Sequence, residues 1–350
     1  MNETFDFLTL ALLPGIGPRQ VRELASRAPL RDILCRPGDH ADLIPEPARA
    51  RLAGDEARRE AEAELSGARA LGARILGRDE PDYPPLLRET FDPPPVLYVR
   101  GHLVRGEGQT CVGMVGSRSA SSPGVALARA MARDLAGAGA AIVSGLARGI
   151  DSAAHRGALD AKGRTLAILG SALDRLYPAE NASLAAAIEA RGAVVSEFRL
   201  GTPPAPGNFP RRNRVIAGWG RALVVVEAGA RSGTLWTVRA ALDEGRDVMA
   251  VPGHPSHPGG EGVNRLIRDG AVLVRDAADV AQELGLALPR ADPEVAAGDL
   301  LGLLRRDVPQ SLEQLQQRSG KPIPELLARL SELEIGACVR RLPGAVYVRT

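Results

Sequence analysis

Two neighbouring stretches with the same pattern constrain the fold of this chain more than any other feature. Residues 112–115 are apolar and end in Gly116-Ser117-Arg118, and residues 140–143 are apolar and end in Ser144-Gly145. A helical pattern follows each turn. Strand, turn and helix repeated in this order predict a parallel α/β sheet. Because the turns after parallel strands meet at the carboxyl edge, where ligands bind, we expect a phosphate-bearing ligand there, with Arg118 as its main charge partner.

Further apolar runs extend this pattern along the chain. They predict strands at residues 96–99, 165–169, 193–196, 222–226, 247–251 and 271–274. The runs are continuous and do not alternate with polar residues, which indicates that helices cover both faces of the sheet. The prolines at positions 93–95 predict that the strand at 96–99 is an edge strand, because proline cannot donate a hydrogen bond to a central ladder.

The chain divides into a helical part, an α/β body and a second helical part. Residues 1–76 have a helical pattern, residues 77–286 hold the α/β body, and residues 287–294 form a proline-bearing linker. Residues 295–350 combine three helix-like segments with a hairpin, which predicts a winged helix. The third of these helices is rich in glutamate. An acidic helix is poorly suited to a DNA major groove, so we expect a protein-contact or regulatory module.

A glycine turn in the first part leaves two interpretations open. Residues 13–26 read LPGIGPRQVRELAS, which resembles the helix-hairpin-helix turn that can hold a DNA phosphate on main-chain amides. The same letters are also typical of an ordinary turn between two helices, in which glycine supplies a positive φ.

Charge and cysteine content limit the classes of function. Because the net charge is only +2, a nucleic-acid role must come from a local patch. The three cysteines are far apart and have no metal-binding spacing, which indicates a reducing compartment. The start of the chain has acidic residues where a signal peptide has basic ones, and no apolar run reaches membrane-spanning length. We therefore expect a cytoplasmic protein with no membrane partner.

Missing motifs argue against several cofactor and enzyme classes. No GxGxxG follows the first strand, and the second strand ends in Ser144 instead of an acid that would hold a ribose. No GxxxxGK[ST] sequence is present, so ATP hydrolysis by a P-loop is unsupported. No carboxylate pair or His/Cys cluster has metal-ligand spacing. We expect no cofactor, no metal and no catalytic residue.

Asp151 and His155 lie one helical turn apart in the segment after the second strand. They could contact a ligand, or they could be a capping carboxylate and a hydrogen-bonded core imidazole. Because no nucleophile accompanies them, we favour structural support of the neighbouring turn.

Residues 201–221 contain several arginines and no acidic residue. The arginines are Arg211, Arg212, Arg214 and Arg221. Phe209 and Trp219 stand beside them, in a chain with few aromatic residues. Arginine forks next to aromatic faces are typical of proteins that bind single-stranded nucleic acid, whose bases splay out and stack. Ser232-Gly233-Thr234, just before a predicted helix, adds a candidate anion site at a helix N-terminus.

Together these segments resemble the DNA-processing protein A family, DprA, also called Smf. The resemblance implies an α/β fold with an extended Rossmann-like parallel sheet domain, a small N-terminal helical domain of the SAM or helix-hairpin-helix type, and a C-terminal winged helix. It also implies a homodimer that binds single-stranded DNA, protects incoming DNA and loads a RecA-type recombinase during natural transformation. In family order from residue 82 to residue 271, the matching letters are DYPPLLRETFDPPPVLYVRG, VGSRSAS, SGLARGIDSAAHRGAL, AILGSALDRLYPAENASL, EFRLGTPPAPGNFPRRNRVIAG, VVEAGARSGTLWT, VPGHP and EGVNRLIRDGA.

The resemblance places the family's DNA-binding arginine on Arg118 and its FPxRNR segment on residues 209–214. The chain departs from the family pattern at Trp219, where we expect an aliphatic residue, and at Ala179, where some members carry lysine. Asp151 and His155 are predicted supports. The predicted DNA-binding residues are Gly116, Ser117, Arg118, Ser144, Gly145, Arg148, Gly170, Phe209, Arg211, Arg212, Asn213, Arg214, Ser232, Gly233 and Thr234.

An enzyme is the alternative interpretation. Ser232-Gly233-Thr234 resembles part of the GGxGTxxE motif of nucleotide phosphoribohydrolases of the lysine-decarboxylase-like group. The glutamate of that motif would fall on Thr237. Without this carboxylate the general acid–base role has no candidate, so we favour a phosphate cradle without turnover.

Overall fold

The computed structural model describes residues 3–106, 110–288, 300–305, 308–336 and 338–349. They belong to two compact units, Met1–Leu288 and Pro289–Thr350. Most of the predicted linker, residues 289–294, lies outside the described residues, as do residues 295–299.

A nine-stranded sheet forms the centre of the first unit. Its strands in chain order are β1 (Arg74–Gly77), β2 (Val96–Gly101), β3 (Cys111–Val115), β4 (Ala141–Ser144), β5 (Thr165–Ile168), β6 (Ala193–Ser196), β7 (Ala222–Val225), β8 (Asp247–Ala250) and β9 (Val272–Leu273). The order across the sheet is β1-β2-β6-β5-β4-β3-β7-β8-β9, and all pairs from β6 to β9 are parallel. The chain moves outward from β3 in both directions, so β3 and β7 lie at the topological switch point.

The prediction that the strand at 96–99 is an edge strand is wrong. Strand β2 pairs antiparallel with β1 on one side and with β6 on the other. The edge is β1, in a region that we predicted to be helical up to residue 76. The helix ends at Ala70, and the short apolar run after it is extended instead. The prolines at 93–95 precede the ladder, so they remove no hydrogen bond from it.

Helices cover both faces of the parallel sheet, as its continuous apolar strands predict. The helices of this unit are α1 (Glu3–Ala11), α2 (Pro18–Arg27), α3 (Leu30–Cys35), α4 (Glu46–Ala53), α5 (Glu56–Ala70), α6 (Pro85–Arg88), α7 (Ser122–Gly137), α8 (Ile150–Asp160), α9 (Ala182–Glu189), α10 (Asn208–Trp219), α11 (Thr234–Asp243), α12 (Glu261–Arg268) and α13 (Ala277–Leu284). Val112 and Met114 of β3 pack with α7, α8 and α13. Cys111 and Val115 of the same strand pack on the opposite face, with α10, α11 and α12.

The N-terminal helices share a hydrophobic core with the sheet. Phe7 of α1 and Ala61 of α5 belong to the same buried cluster as Tyr98 of β2 and Val194 of β6. The Tyr98 hydroxyl donates a buried hydrogen bond of 2.8 Å to Glu64 of α5. Residues 1–76 therefore belong to the same compact unit as the α/β body.

The glycine turn between α1 and α2 uses its polar groups within the molecule. The Gly17 amide donates to the Gln20 side chain at 2.7 Å. The Arg19 guanidinium lies 4.5 Å from the centre of the Phe91 ring, and Arg22 donates to the Phe91 carbonyl at 2.8 Å. These contacts favour the ordinary turn between helices over the phosphate-binding hairpin.

Within its described residues, the second unit contains three helices and a three-stranded sheet. Its elements are α14 (Leu300–Leu303), β10 (Gln310–Ser311), α15 (Leu312–Ser319), α16 (Ile323–Ile335), β11 (Val339–Leu342) and β12 (Val346–Arg349), with strand order β10-β12-β11. Leu315, Leu326, Leu330 and Tyr347 form part of its core. The acidic helix α16 keeps Ile335 at its end 88% exposed. Among the helices of the described residues, none combines the length and apolar character needed to cross a bilayer.

Candidate nucleic-acid interface

The turns after β3 and β4 and the start of α10 and α11 surround a cleft of about 530 Å³ at the carboxyl edge of the sheet. Arg118 and Phe209 line this cleft, and so do Asn213 and Trp236. A second cleft of about 310 Å³ is lined by Arg118, Phe209 and Tyr177. Arg118 and Phe209 are common to the two clefts. The structure thus brings the turn after β3 and the 209–214 segment together, as the sequence predicts.

Arg118 and two aromatic rings form a stack at this edge. The Arg118 guanidinium lies over the Phe209 ring, 4.8 Å from its centre. The Phe209 and Tyr177 ring centres are 5.9 Å apart, and the ring planes are inclined by 54°. Arg118 is exposed, and within the described ranges it forms no ion pair with a carboxylate. Its charge is therefore open to a ligand phosphate.

Main-chain hydrogen bonds hold the turn that carries Arg118. The Ser117 amide donates to the Glu227 carbonyl at 2.8 Å, across the switch point between β3 and β7. The Ser117 carbonyl accepts from the Ile150 amide at 3.2 Å, which ties the turn to the start of α8. The Thr234 hydroxyl donates to the Gly116 carbonyl at 3.1 Å. The turn is fixed on three sides, so Arg118 projects from a rigid base.

The predicted anion site at the start of α11 is next to this turn. Ser232, Gly233 and Thr234 all line the larger cleft. The Ser232 hydroxyl accepts from the Thr234 amide at 3.2 Å, and Thr234 is the first residue of the helix. The positive end of the α11 dipole therefore faces the cleft that Arg118 lines.

Asp151 holds the turn after β4 through the main-chain amides of that turn. Its carboxylate accepts from the Gly145 amide at 3.1 Å and from the Ala147 amide at 3.4 Å. Burial raises the pKa of Asp151, although the nearby Arg212 guanidinium acts in the opposite direction. Ser144 is also buried, and its hydroxyl donates to the Met114 carbonyl at 2.6 Å. These contacts hold the β4 turn in place beside Arg118.

His155 is fully buried and linked to the sheet. Its Nδ1 lies 2.6 Å from the Thr165 hydroxyl, which itself donates to the Ile142 carbonyl at 2.8 Å. Burial lowers the pKa of His155 to about 3, and the positive charges of Arg212 and Arg156 add to this effect. The imidazole is therefore neutral at physiological pH and has no access to a ligand.

Arg212 is buried beneath the site. Its Nη1 donates to the Gly145 carbonyl at 2.6 Å and also to the Ile168 carbonyl. Burial lowers the pKa of Arg212 to about 10. A side chain at Gly145 would overlap the guanidinium, so the glycine makes room for it. Arg212 thus connects the turn after β4 with the end of β5.

Arg211 and Arg214 share an acidic partner that the 201–221 segment does not contain. Glu197, whose side chain is only 2% exposed, pairs with Arg214 and lies 3.3 Å from the Nε of Arg211. Arg214 also donates to the Asp92 carbonyl and is mostly buried. The Arg211 side chain keeps 49% of its surface exposed. Of these two arginines, Arg211 is the one that a ligand can reach.

Of two more predicted contacts, Arg148 lines the smaller cleft, whereas Gly170 is buried. Arg148 is exposed and forms an ion pair with Glu180. Gly170 lies under the Phe209 ring, and a Cβ there would come within 2.7 Å of that ring. The glycine therefore lets Phe209 take its place beside Arg118. Asn213, in the larger cleft, accepts from the Arg212 Nε at 3.2 Å.

Two known protein families match this chain, one over the α/β body and one over the winged helix. A family described as DNA recombination-mediator protein A matches residues 74–285, and the DprA winged helix domain matches residues 286–345. The chain belongs to the DprA family. The family's Smf protein of Escherichia coli (strain K12) is 39% identical to it over 290 residues, which cover 79% of this chain and 77% of that protein.

Two solved DprA structures resemble this chain. The X-ray structure of DprA from Streptococcus pneumoniae has a TM-score of 0.69 and 32% sequence identity, covering 81% of this chain and 98% of that one. A structure of the Helicobacter pylori protein, described by its single-stranded DNA binding mode, has a TM-score of 0.54 and 26% identity, covering 61% of this chain and 95% of that one. The predicted fold class and the predicted DprA family are confirmed.

The aromatic residues of this DprA-family chain are not arranged as its sequence suggests. Trp219, which we considered a stacking face, is the last residue of α10, is 0% exposed and belongs to the buried core between α10 and the sheet. Tyr177 and Trp236, which sequence reasoning missed, are 42% and 61% exposed and line the clefts. Both lie within segments that match the family, and this match was the signal that could have identified them as site residues. Within the described ranges, no group of three or more His, Cys, Asp or Glu side chains could hold a metal ion.

Proposed function

We propose that this protein binds single-stranded DNA along the carboxyl edge of its sheet and acts in DNA processing during natural transformation. The observation that carries the proposal is the exposed Arg118, which has no carboxylate partner among the described residues and lies against the Phe209 and Tyr177 rings. A guanidinium can bind a phosphate while neighbouring aromatic faces stack on bases, and this combination suits a flexible single strand. Membership of the DprA family supports the same assignment, as does the single-stranded DNA binding described for the Helicobacter pylori protein.

The contacting residues in this proposal are a subset of those predicted. Arg118, Phe209, Arg211 and the start of α11 would touch the strand, because they are exposed or line the clefts. Arg212 and Arg214 would support the site, since both guanidinium groups already bind partners within the protein. Asp151 and His155 would support it in the same way.

The wider role in this proposal rests on the family resemblance. We infer that the protein protects incoming DNA, loads a RecA-type recombinase onto it and acts as a homodimer in the cytoplasm. The three cysteines are far apart in the sequence, which agrees with a reducing compartment. The acidic helix α16 with its exposed Ile335 suits a protein contact better than a duplex groove.

A comparison of matched oligonucleotides tests the proposal. Fluorescence anisotropy with a labelled oligothymidine, and with a duplex of the same length, should show clear preference for the single strand. The preference follows because stacking on Phe209 and Tyr177 requires unpaired bases. Equal affinity for both forms would contradict the proposal, and the absence of binding to either would end it.

A further inference from the structure

Trp236 is a large aromatic side chain that is exposed inside the candidate interface. It lies in the first turn of α11 and is 61% exposed. It lines the 530 Å³ cleft together with Arg118 and Phe209. Tryptophan offers the largest stacking face of any side chain, and exposing it to water without a partner is unfavourable.

The charges around this side chain are suited to a polyanion. Arg118 lines the same cleft, and Arg231 is exposed just ahead of α11. Neither guanidinium forms an ion pair with a carboxylate in the part of the chain that the structure describes. Arg239, one turn further along the helix, is 77% exposed. Its Nε lies 3.9 Å from an Asp243 carboxylate oxygen, so the two form a long ion pair. Phosphates could thus bind on either side of the indole.

The apolar surface around Trp236 does not favour a protein partner. Leu242 is the other large apolar side chain that α11 exposes, at 60%. It is six residues further on, which places it about 240° around the helix from Trp236. The charged Arg239 and Asp243 are also exposed on this helix. A protein-docking surface is typically a contiguous apolar patch, and an isolated aromatic ring among arginines is typical of base stacking.

We propose that Trp236 stacks on a base of the bound single strand, in addition to the stack of Arg118, Phe209 and Tyr177. This inference rests on the proposed function and extends it, because it assigns a second stacking platform to the larger cleft. The strand would cross this cleft with phosphates near the start of α11 and a base on the indole. Trp236 lies within a segment that matches the family but is not among the predicted DNA-binding residues.

The two tryptophans of the chain allow a direct measurement. Trp219 is fully buried, so Trp236 is the indole that a ligand can reach. Stacking of a base on an indole quenches its emission. Oligothymidine should therefore quench the emission of the wild-type protein, and the quench should saturate together with binding measured by anisotropy of a labelled strand. The Trp236→Phe variant, which keeps Trp219, should show binding without this quench.

Two further variants measure the contribution to affinity. Trp236→Ala should weaken oligothymidine binding by roughly 5- to 150-fold, the range for loss of one aromatic stack. Leu242→Ala is the matched control, since it removes an exposed apolar side chain of the same helix that does not line the cleft. It should bind as the wild type does. An unchanged far-ultraviolet circular dichroism spectrum verifies that each variant is folded.

The outcomes separate this inference from the proposed function. If the oligonucleotide binds but the emission of Trp236 stays constant and Trp236→Ala binds normally, the inference is wrong and the proposed function stands. If no oligonucleotide binds to the wild type, both are wrong. If the emission of Trp236 instead changes with protein concentration in the absence of DNA, the indole belongs to an interface between copies of the chain, which also overturns the inference.

Discussion

The guanidinium carbon of Arg118 lies 4.8 Å from the centre of the Phe209 ring, so the cation is positioned without any carboxylate among the described residues. A cation held by a π face keeps its hydrogen-bond donors for a phosphate. Arg118→Ala should therefore weaken binding to every single-stranded sequence. It should also reduce the slope of log affinity against log salt by about 0.7 for each lost phosphate contact. Anisotropy titrations at several salt concentrations measure both effects.

Arg133→Ala is the control for this experiment. Arg133 is an exposed arginine on α7 that pairs with Asp134 and lines neither cleft of the interface. Its loss should leave affinity and salt slope close to those of the wild type. A salt slope that changes equally in the two variants would mean that Arg118 acts only through overall charge.

Arg212 and Arg211 are adjacent in sequence and should respond differently to alanine. Arg212→Ala leaves the Gly145 and Ile168 carbonyls without their buried donor, which should cost about 2–4 kcal/mol of stability. Arg211→Ala removes a half-exposed ion pair and should cost less than about 1 kcal/mol. Urea unfolding followed by Trp219 emission measures the difference. Arg211→Ala should weaken oligothymidine binding without unfolding, and equal stability of the two variants would contradict this assignment.

The buried imidazole of His155 predicts a dependence of stability on pH. Its pKa is lowered from 6.5 to about 3 in the folded protein, so only the unfolded chain gains this proton as the pH falls below 6.5. The contribution of His155 to the free energy of unfolding should be fully present above pH 6.5. It should decrease toward pH 3, by at most about 1.4 kcal/mol per pH unit.

His155→Gln cannot take up a proton and tests this directly. Its stability should fall less steeply than that of the wild type between pH 6.5 and 4, as measured by urea unfolding at a series of pH values. His102→Gln replaces an exposed histidine and should leave the slope unchanged. A wild-type slope in the His155 variant would show that the pKa of this imidazole does not differ between the folded and unfolded states.

Removal of the second unit should leave strand binding largely intact. The interface residues lie within Met1–Leu288, which is one compact unit. A chain of residues 1–288 should bind oligothymidine within roughly threefold of the full-length affinity, which is less than 1 kcal/mol. A large loss would mean that the winged helix contributes directly to DNA binding.

The enzyme alternative predicts a product that we do not expect. Thr237 lines the larger cleft at the position where the phosphoribohydrolase motif has its glutamate. Without that carboxylate, incubation of the protein at high concentration with nucleoside monophosphates should release no free base. Detection of free base by chromatography would support the alternative, provided that Arg118→Ala reduces its formation.

Local sequence patterns were sufficient to predict the parallel part of the sheet. Its strands are short, mostly apolar runs, and the turn after β3 carries the exposed Arg118 at the carboxyl edge, where the pattern predicts it. The pattern did not predict the strand β1, and it placed β2 at the edge of the sheet. Both errors arise because the antiparallel pairing at that edge depends on packing with α1 and α5. No local signal distinguishes a short apolar edge strand from the end of a helix.

The candidate site was only partly predictable for a related reason. The run at 211–214 reads as an unpaired cluster of positive charge because its partners lie outside the 201–221 segment. Glu197 lies just before the segment, and the carbonyls that Arg212 binds lie on other turns. Burial of Trp219 and exposure of Trp236 follow from which side of α10 and α11 faces the sheet. Sequence composition identifies such residues but does not indicate which of them reach solvent.

The fit between Gly145 and Arg212 has a consequence for how this protein can evolve. A larger residue at position 145 would displace the guanidinium. A smaller residue at position 212 would leave two buried carbonyls without a hydrogen-bond donor and would open a void. Neither position can change alone without damage to the fold beneath the candidate interface. Substitutions here should be inherited as compensating pairs, whereas a change at an exposed position above them needs no second substitution to keep the fold.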